Sequence, residues 1–177
     1  MLAPQEHTLT PTPNFTLSAA ISAFGSAAKG KLANPSASGA PEDQLRAPFE
    51  QLLADLAVLI KLAKGDVIAV GESHLADLKT RPDYAVTVRK ALAGHIELKA
   101  PGKGADPRKF KDAHDKGQWE RLRSLPNLIY TDGNEFSLWQ SGERIGGVVR
   151  LTGDIESSGS KLASPDSLLG LFENFLQ

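Results

Sequence analysis

The chain has no cysteine, so no disulfide can staple it and no thiolate can hold zinc or attack a substrate. That absence suits a reducing compartment, and a cytoplasmic protein is the expectation. Neither sign of charge dominates: 20 Lys and Arg face 21 Asp and Glu, for a formal net charge of -1. This excludes a polycation that coats nucleic acid through bulk charge, so any such contact must be regional. The sequence lacks an apolar run of about 18 residues and a basic-then-apolar amino terminus, so neither a membrane span nor a secretory signal is expected. Aromatic residues make up only 6%, and neither Trp119 nor Trp139 is interleaved with basic residues as a base-stacking platform would be; both read as core or interface residues. Gly102-Lys103-Gly104 lacks the Gly-x4-Gly-Lys-Ser/Thr order of a phosphate loop, which argues against ATP binding.

What is present is enough for one ordinary core in 177 residues. Residues 1–40 read as an amino-terminal arm, rich in Ala, Ser, Thr, Pro and Gly, with Glu6, His7, Lys29 and Lys31 its only charged or titrating side chains. Leu17, Ile21 and Phe24 fall at helical spacing within it, so a short docking helix bounded by Gly30 and Pro35 is expected. The core spans 41–151. Pro41-Glu42-Asp43 suits a helix start, and Leu45, Phe49, Leu52, Leu56, Leu59 and Ile60 recur at three and four residues up to Gly65. The period then changes. Short apolar runs at 66–70, 83–88 and 94–100 predict a three-strand meander, with a turn-prone stretch from Glu72 to Thr80 between the first two. A loop at 101–107 and a charged helix over about 112–125 follow, then strands at 127–131, 136–139 and 146–151 with a turn at 140–143. Residues 152–177 read as a linker and a last helix that starts near Ser164-Pro165-Asp166 and carries Leu168, Leu169, Phe172 and Leu176. The predicted fold class is α/β, a central mixed sheet flanked by helices.

The residues that suggest chemistry are Arg81-Pro82-Asp83 and Ile96-Glu97-Leu98-Lys99. Side chains alternate along a strand, so Glu97 and Lys99 share one face while Leu98 takes the other. Two carboxylates and an ammonium on one surface match the needs of phosphodiester hydrolysis: charge neutralisation, an activated water and a stabilised leaving group. Mg²⁺ takes oxygen ligands and keeps several waters, so Asp83, Glu97 and the backbone carbonyl of Leu98 would suffice to hold it, with Mn²⁺ as a substitute. The competing interpretation of Glu-Leu-Lys is a solvated strand face; the apolar Ile96 and Leu98 and the preceding amphipathic helix favour a site.

These stretches resemble the PD-(D/E)xK endonuclease superfamily, and more narrowly the amino-terminal nuclease domain of bacterial restriction-modification enzymes fused to an adenine-specific DNA methyltransferase. The resemblance rests on Pro41-Glu42-Asp43-Gln44-Leu45-Arg46, on Arg81-Pro82-Asp83-Tyr84 and on the stretch from Gly94 to Gly102. Gln118 and the stretch from Leu128 to Phe136 complete it, and it covers about 41–150. It implies a restriction-endonuclease-like fold and a DNA-cleaving, Mg²⁺-dependent hydrolase of restriction-modification or phage defence. Asp83, Glu97, Leu98 (through its carbonyl) and Glu42 would serve the metal, with Lys99 and Gln118 completing the catalytic set. Related nucleases often carry a tyrosine four residues after that glutamine; here the position is Leu122. Neither a cofactor glycine motif nor an Asn-Pro-Pro-Tyr type motif is present, so the chain is expected to be an excised domain or a stand-alone relative. Methyltransferase and specificity domains of a larger chain are possible partners, as is a second copy associating transiently to cut both strands.

Around the proposed site, residues 99–123 hold eight Lys or Arg against four Asp or Glu. Lys103, Arg108, Lys109 and Lys111 are the candidates for DNA phosphate contacts, against the alternative of a solvated helix face. The histidines His7, His74, His95 and His114 have no zinc spacing. His95 would face the side of Glu97, though a strand-end or surface position is the simpler expectation; Glu72 is a turn carboxylate or an addition to the acidic cluster. Ser73-His74 has no oriented acid, which disfavours serine hydrolase chemistry. Two alternatives to a nuclease remain: a DNA-binding or docking module with the same fold and little activity when isolated, and a structural interaction domain that uses the last helix.

Overall fold

Thr16 opens the first helix, α1 (Leu17–Leu32), by accepting a hydrogen bond from the Ala19 amide at 3.1 Å. The computed structural model describes residues 15–34, 39–71 and 81–177. Glu6, His7, Pro35, Glu72, Ser73 and His74 lie outside them. Ile21, Phe24 and Ala28 of α1 are buried, and they join the same apolar core as the second helix, α2 (Pro41–Leu59). At Gly25 the helix packs tightly on the 3-10 turn Gly159–Lys161: a Cβ there would run into the carbonyl oxygen of Gly159. Although alanine is the better helix former, Gly25→Ala is therefore expected to cost about 2 kcal/mol net. Urea unfolding checks this; an unchanged midpoint would mean that α1 is not pinned against the turn.

Among the described residues six strands form one sheet in the order β1 (Val67–Gly71), β2 (Tyr84–Val88), β3 (Ala91–Leu98), β4 (Leu128–Thr131), β5 (Glu135–Gln140) and β6 (Glu143–Arg150). All neighbours are antiparallel except β3 and β4. A parallel pair needs a long crossover, and here the loop after Lys99, the 3-10 turn Pro107–Lys109 and helix α3 (Ala113–Leu122) provide it. The last helix, α4 (Ser167–Leu176), returns to pack on β3, β5 and α2. The fold is thus α/β, a mixed six-stranded sheet flanked by helices.

The central strands are buried on both faces, and alternation sorts their side chains. Ile96, Leu98, Ile129, Phe136 and Leu138 join the core that holds α1, α2 and α4. Leu128, Tyr130 and Trp139 pack instead with Trp119, Leu122 and Phe110 of the crossover. Trp119 and Trp139 meet edge-on at 4.9 Å, so both are core residues. Leu122, at the position where a tyrosine was considered, is wholly buried in the same cluster.

The observed boundaries differ from the sequence expectation at two candidate site residues. Asp83 lies just ahead of β2, and Lys99 lies one residue beyond β3, although its amide still donates to the Thr131 carbonyl at 2.8 Å and so continues the ladder. β3 also starts earlier than expected, because a bulge in the β2/β3 pairing and a tight turn at Arg89 and Lys90 extend the hairpin beyond Gly94. His95 corrects another expectation: it is buried within β3 at 4% exposure, not at a strand end or surface. Burial lowers its pKa and favours the neutral ring. Among the described residues no helix is long and apolar enough to cross a membrane.

Candidate active site

β3 and β4 carry the site because their register sets Glu97 and Lys99 against the inner face of α3. Asp83 arrives from the neighbouring strand end. Its backbone amide donates to Glu97 Oε2 at 3.2 Å, and its own Oδ2 accepts from the Leu98 amide at 2.8 Å. Lys99 Nζ donates to Glu97 Oε1 at 3.3 Å, to Gln118 Oε1 at 2.6 Å and to Asp115 Oδ1 at 2.9 Å. Gln118 Nε2 closes the ring by donating to Glu97 Oε1 at 2.9 Å. An ammonium has three protons, and all three are committed, which fixes the direction of the charge.

Asp83, Glu97, Lys99 and Gln118 therefore meet in one cleft of about 290 Å³, with Glu42, half-buried in the first turn of α2, on its lining. Glu97 is 5% exposed. Burial, and then the neighbouring Asp83 charge, push its carboxyl up to about 7, against the pull of Lys99 and Gln118. Burial also raises Asp83, partly offset by the Leu98 amide and by Arg46. A buried and a half-buried carboxylate that resist ionising together form a donor set that a cation would stabilise.

The chemistry of that set fits Mg²⁺: hard oxygens from Asp83 and Glu97 in a cleft that Leu98 also lines. Among the described residues no three acidic or histidine side chains form a ready-made metal cage.

Two further residues enter the site that sequence reasoning did not single out. Asp115 is 3% exposed and, besides Lys99, ion-pairs with Lys103. Its position is set by the helix start, where Asp112 accepts from the Asp115 amide at 2.8 Å. The available signal was helical spacing, since Asp115, Gln118 and Leu122 fall on one face of α3. Arg46 of α2 is the second: its Nη2 donates to Asp83 Oδ1 at 2.6 Å. It lies four residues after Glu42, on the same helical face.

The basic candidates divide. Lys103 is committed to Asp112 and Asp115, and Arg108 pairs with Asp106 through two nitrogens while its guanidinium lies 5.0 Å from the Trp139 ring. Lys109 and Lys111 are exposed and carry no ion pair among the described residues. Asp132 orders the loop that bears Lys103, accepting from the amides of Gly102 and Gly104 with Oδ2 and from those of Asn134 and Glu135 with Oδ1. His114 lines the cleft and is exposed.

No protein-family model and no curated protein matches the sequence. In three dimensions the chain is similar to a solved complex of DrdV with DNA, with a TM-score of 0.57 and 20% sequence identity over 89% of this chain. The match spans 14% of the DrdV chain. At that identity the likeness is one of fold, and the shared fold is the mixed sheet with flanking helices that the sequence predicts.

Proposed function

We propose that this chain is a metal-dependent endonuclease domain that hydrolyses DNA phosphodiester bonds, the cleavage module of a restriction-modification or phage-defence enzyme. The observation that carries the reading is the hydrogen-bonded ring of half-buried Asp83 with buried Glu97, Lys99 and Gln118, in which an ammonium is aimed beside two carboxylates that resist ionising together. Asp83, Glu97 and the Leu98 carbonyl would hold Mg²⁺, which supplies charge neutralisation at the phosphoryl oxygens and an acidified water. Lys99 presents fixed positive charge where negative charge develops, at no cost of reorganisation during the reaction. Asp115 and Gln118 keep that ammonium in place. Lys109 and Lys111 are available for the phosphate backbone, with Lys103 and Arg108 contributing if their carboxylate partners yield.

DNA as the substrate is supported by the likeness to a DNA-bound protein, and membership of a longer chain by the small share of that protein matched. One such centre cuts one strand, so cleavage of a duplex would need a second copy or a second binding event. Purified chain is expected to nick supercoiled plasmid with Mg²⁺ or Mn²⁺ and to stop in EDTA; absence of cutting at every metal concentration would refute activity of the isolated domain. A second reading, a DNA-docking module with little activity alone, is favoured by one observation. Every oxygen of Asp83 and Glu97 already accepts a hydrogen bond from the protein.

A further inference from the structure

Arg46 is the one cation on the α2 side of the cleft that contacts a proposed metal ligand among the described residues. Its Nη2 lies 2.6 Å from Asp83 Oδ1 and its Nε lies 3.5 Å from Asp43 Oδ1. Asp112 and Asp115, across the cleft, have cations of their own in Lys103 and Lys99. Arg46 makes the direct ion pair with Asp83, while Lys99 acts on the same carboxylate from a greater distance.

An orienting role is the obvious alternative, and the geometry disfavours it. Asp83 is already fixed from behind by the Leu98 amide at 2.8 Å, which a rotation of its carboxylate would break. Arg46 sits at the rim with its side chain 29% exposed, and apart from Asp83 it is held by Asp43 and by the face of the Tyr84 ring, 5.4 Å from its guanidinium. Arg46 is not a member of the apolar core, so a swing toward solvent would break these polar and ring contacts and leave the core packing in place. A divalent ion on the same carboxylate would lie a few ångströms from the guanidinium, where repulsion between the two charges is strong in a partly buried setting.

We propose that Arg46 is a built-in counter-ion that occupies Asp83 in the metal-free protein and competes with the divalent cation, so that metal loading requires the guanidinium to swing away. The proposal rests on the metal-dependent nuclease reading. It implies that metal affinity is set weak by design of the fold, and that an arriving phosphate, by offering Arg46 another anion, favours loading.

The test is Mn²⁺ titration of the full chain by calorimetry, for the unmodified protein, Arg46→Gln and Arg46→Lys, with Asp83→Asn as the site control and circular dichroism melts to confirm folding. Arg46→Gln is expected to bind Mn²⁺ about tenfold more tightly, while Arg46→Lys, which keeps the charge, stays close to the unmodified protein. In EDTA, Arg46→Gln is expected to melt at lower temperature and to be rescued by Mn²⁺ more than the unmodified protein is. Unchanged affinity in Arg46→Gln overturns the competition and leaves the nuclease reading standing. Weaker binding overturns it in favour of an orienting role. Failure of both folded proteins to bind Mn²⁺ overturns it together with the metal-dependent reading.

Discussion

Lys99→Ala is expected to lower metal-dependent plasmid cleavage by about a thousandfold, the scale seen when a preorganised charge is removed from a developing anion. The expectation follows from the ammonium's confinement: three acceptors on two elements, Glu97 of β3 and Gln118 and Asp115 of α3, hold it at 7% exposure. Loss of cutting alone would be ambiguous. Removing one member of a buried ion pair costs about 3–5 kcal/mol, and Lys99→Ala leaves Asp115 and Glu97 short of their shared cation, so the variant will also melt earlier. Lys99→Met combined with Asp115→Asn separates the two effects, because it removes opposite charges that face each other and keeps side-chain volume. That double variant is expected to recover much of the lost melting temperature and to remain inactive. If it cuts DNA at a rate near that of the unmodified protein, Lys99 holds the fold together and takes no part in the chemistry.

The parts of this arrangement that could be read in the sequence depend on short-range regularities. Alternation along β3 places Glu97 and Lys99 on one side, and that inference needs only a strand, not its neighbours. The convergence of Asp83 needs one hairpin pairing, which the meander of apolar runs made readable. The helices were legible for the same reason: the recurrence of Leu45, Phe49, Leu52 and Leu56 requires a buried face, and that face forms the core on α2. Asp115 and Arg46 were not legible, because their partners come from other elements. Asp115 meets Lys99 only because the crossover folds α3 over β3, and a carboxylate three residues into a charged helix looks like a helix cap and solvated surface. Arg46 meets Asp83 only because α2 ends up beside the start of β2. His95 was misjudged for a related reason: from the sequence it sits beside Gly94 near a strand end, whereas the Arg89-Lys90 turn moves the start of β3 back and buries the imidazole.

Glu97 gives the second large effect, on stability and its dependence on pH. Burial and Asp83 raise its carboxyl from 4.5 in the unfolded chain to about 7 in the folded one. Folding therefore takes up a proton between those values. The stabilisation is fully present below about pH 4.5, declines as pH rises, and is lost above about 7, where folding must pay for a buried anion next to Asp83. Each pKa unit is worth 1.36 kcal/mol, so the loss across this window is roughly 3 kcal/mol; Asp83, also raised, adds to it in the same direction. Urea unfolding in EDTA from pH 5 to pH 8.5 should show the metal-free protein weakening over this range, with Glu97→Gln, a neutral mimic of the protonated acid, much flatter. Mn²⁺ at pH 8 should restore stability to the unmodified protein and have little effect on Glu97→Gln. Parallel pH profiles for the two proteins would mean that the Lys99 ammonium already compensates the Glu97 charge in full. The paired carboxylates would then exert no demand for a cation, and the physical ground for placing a metal at Asp83 and Glu97 would be gone.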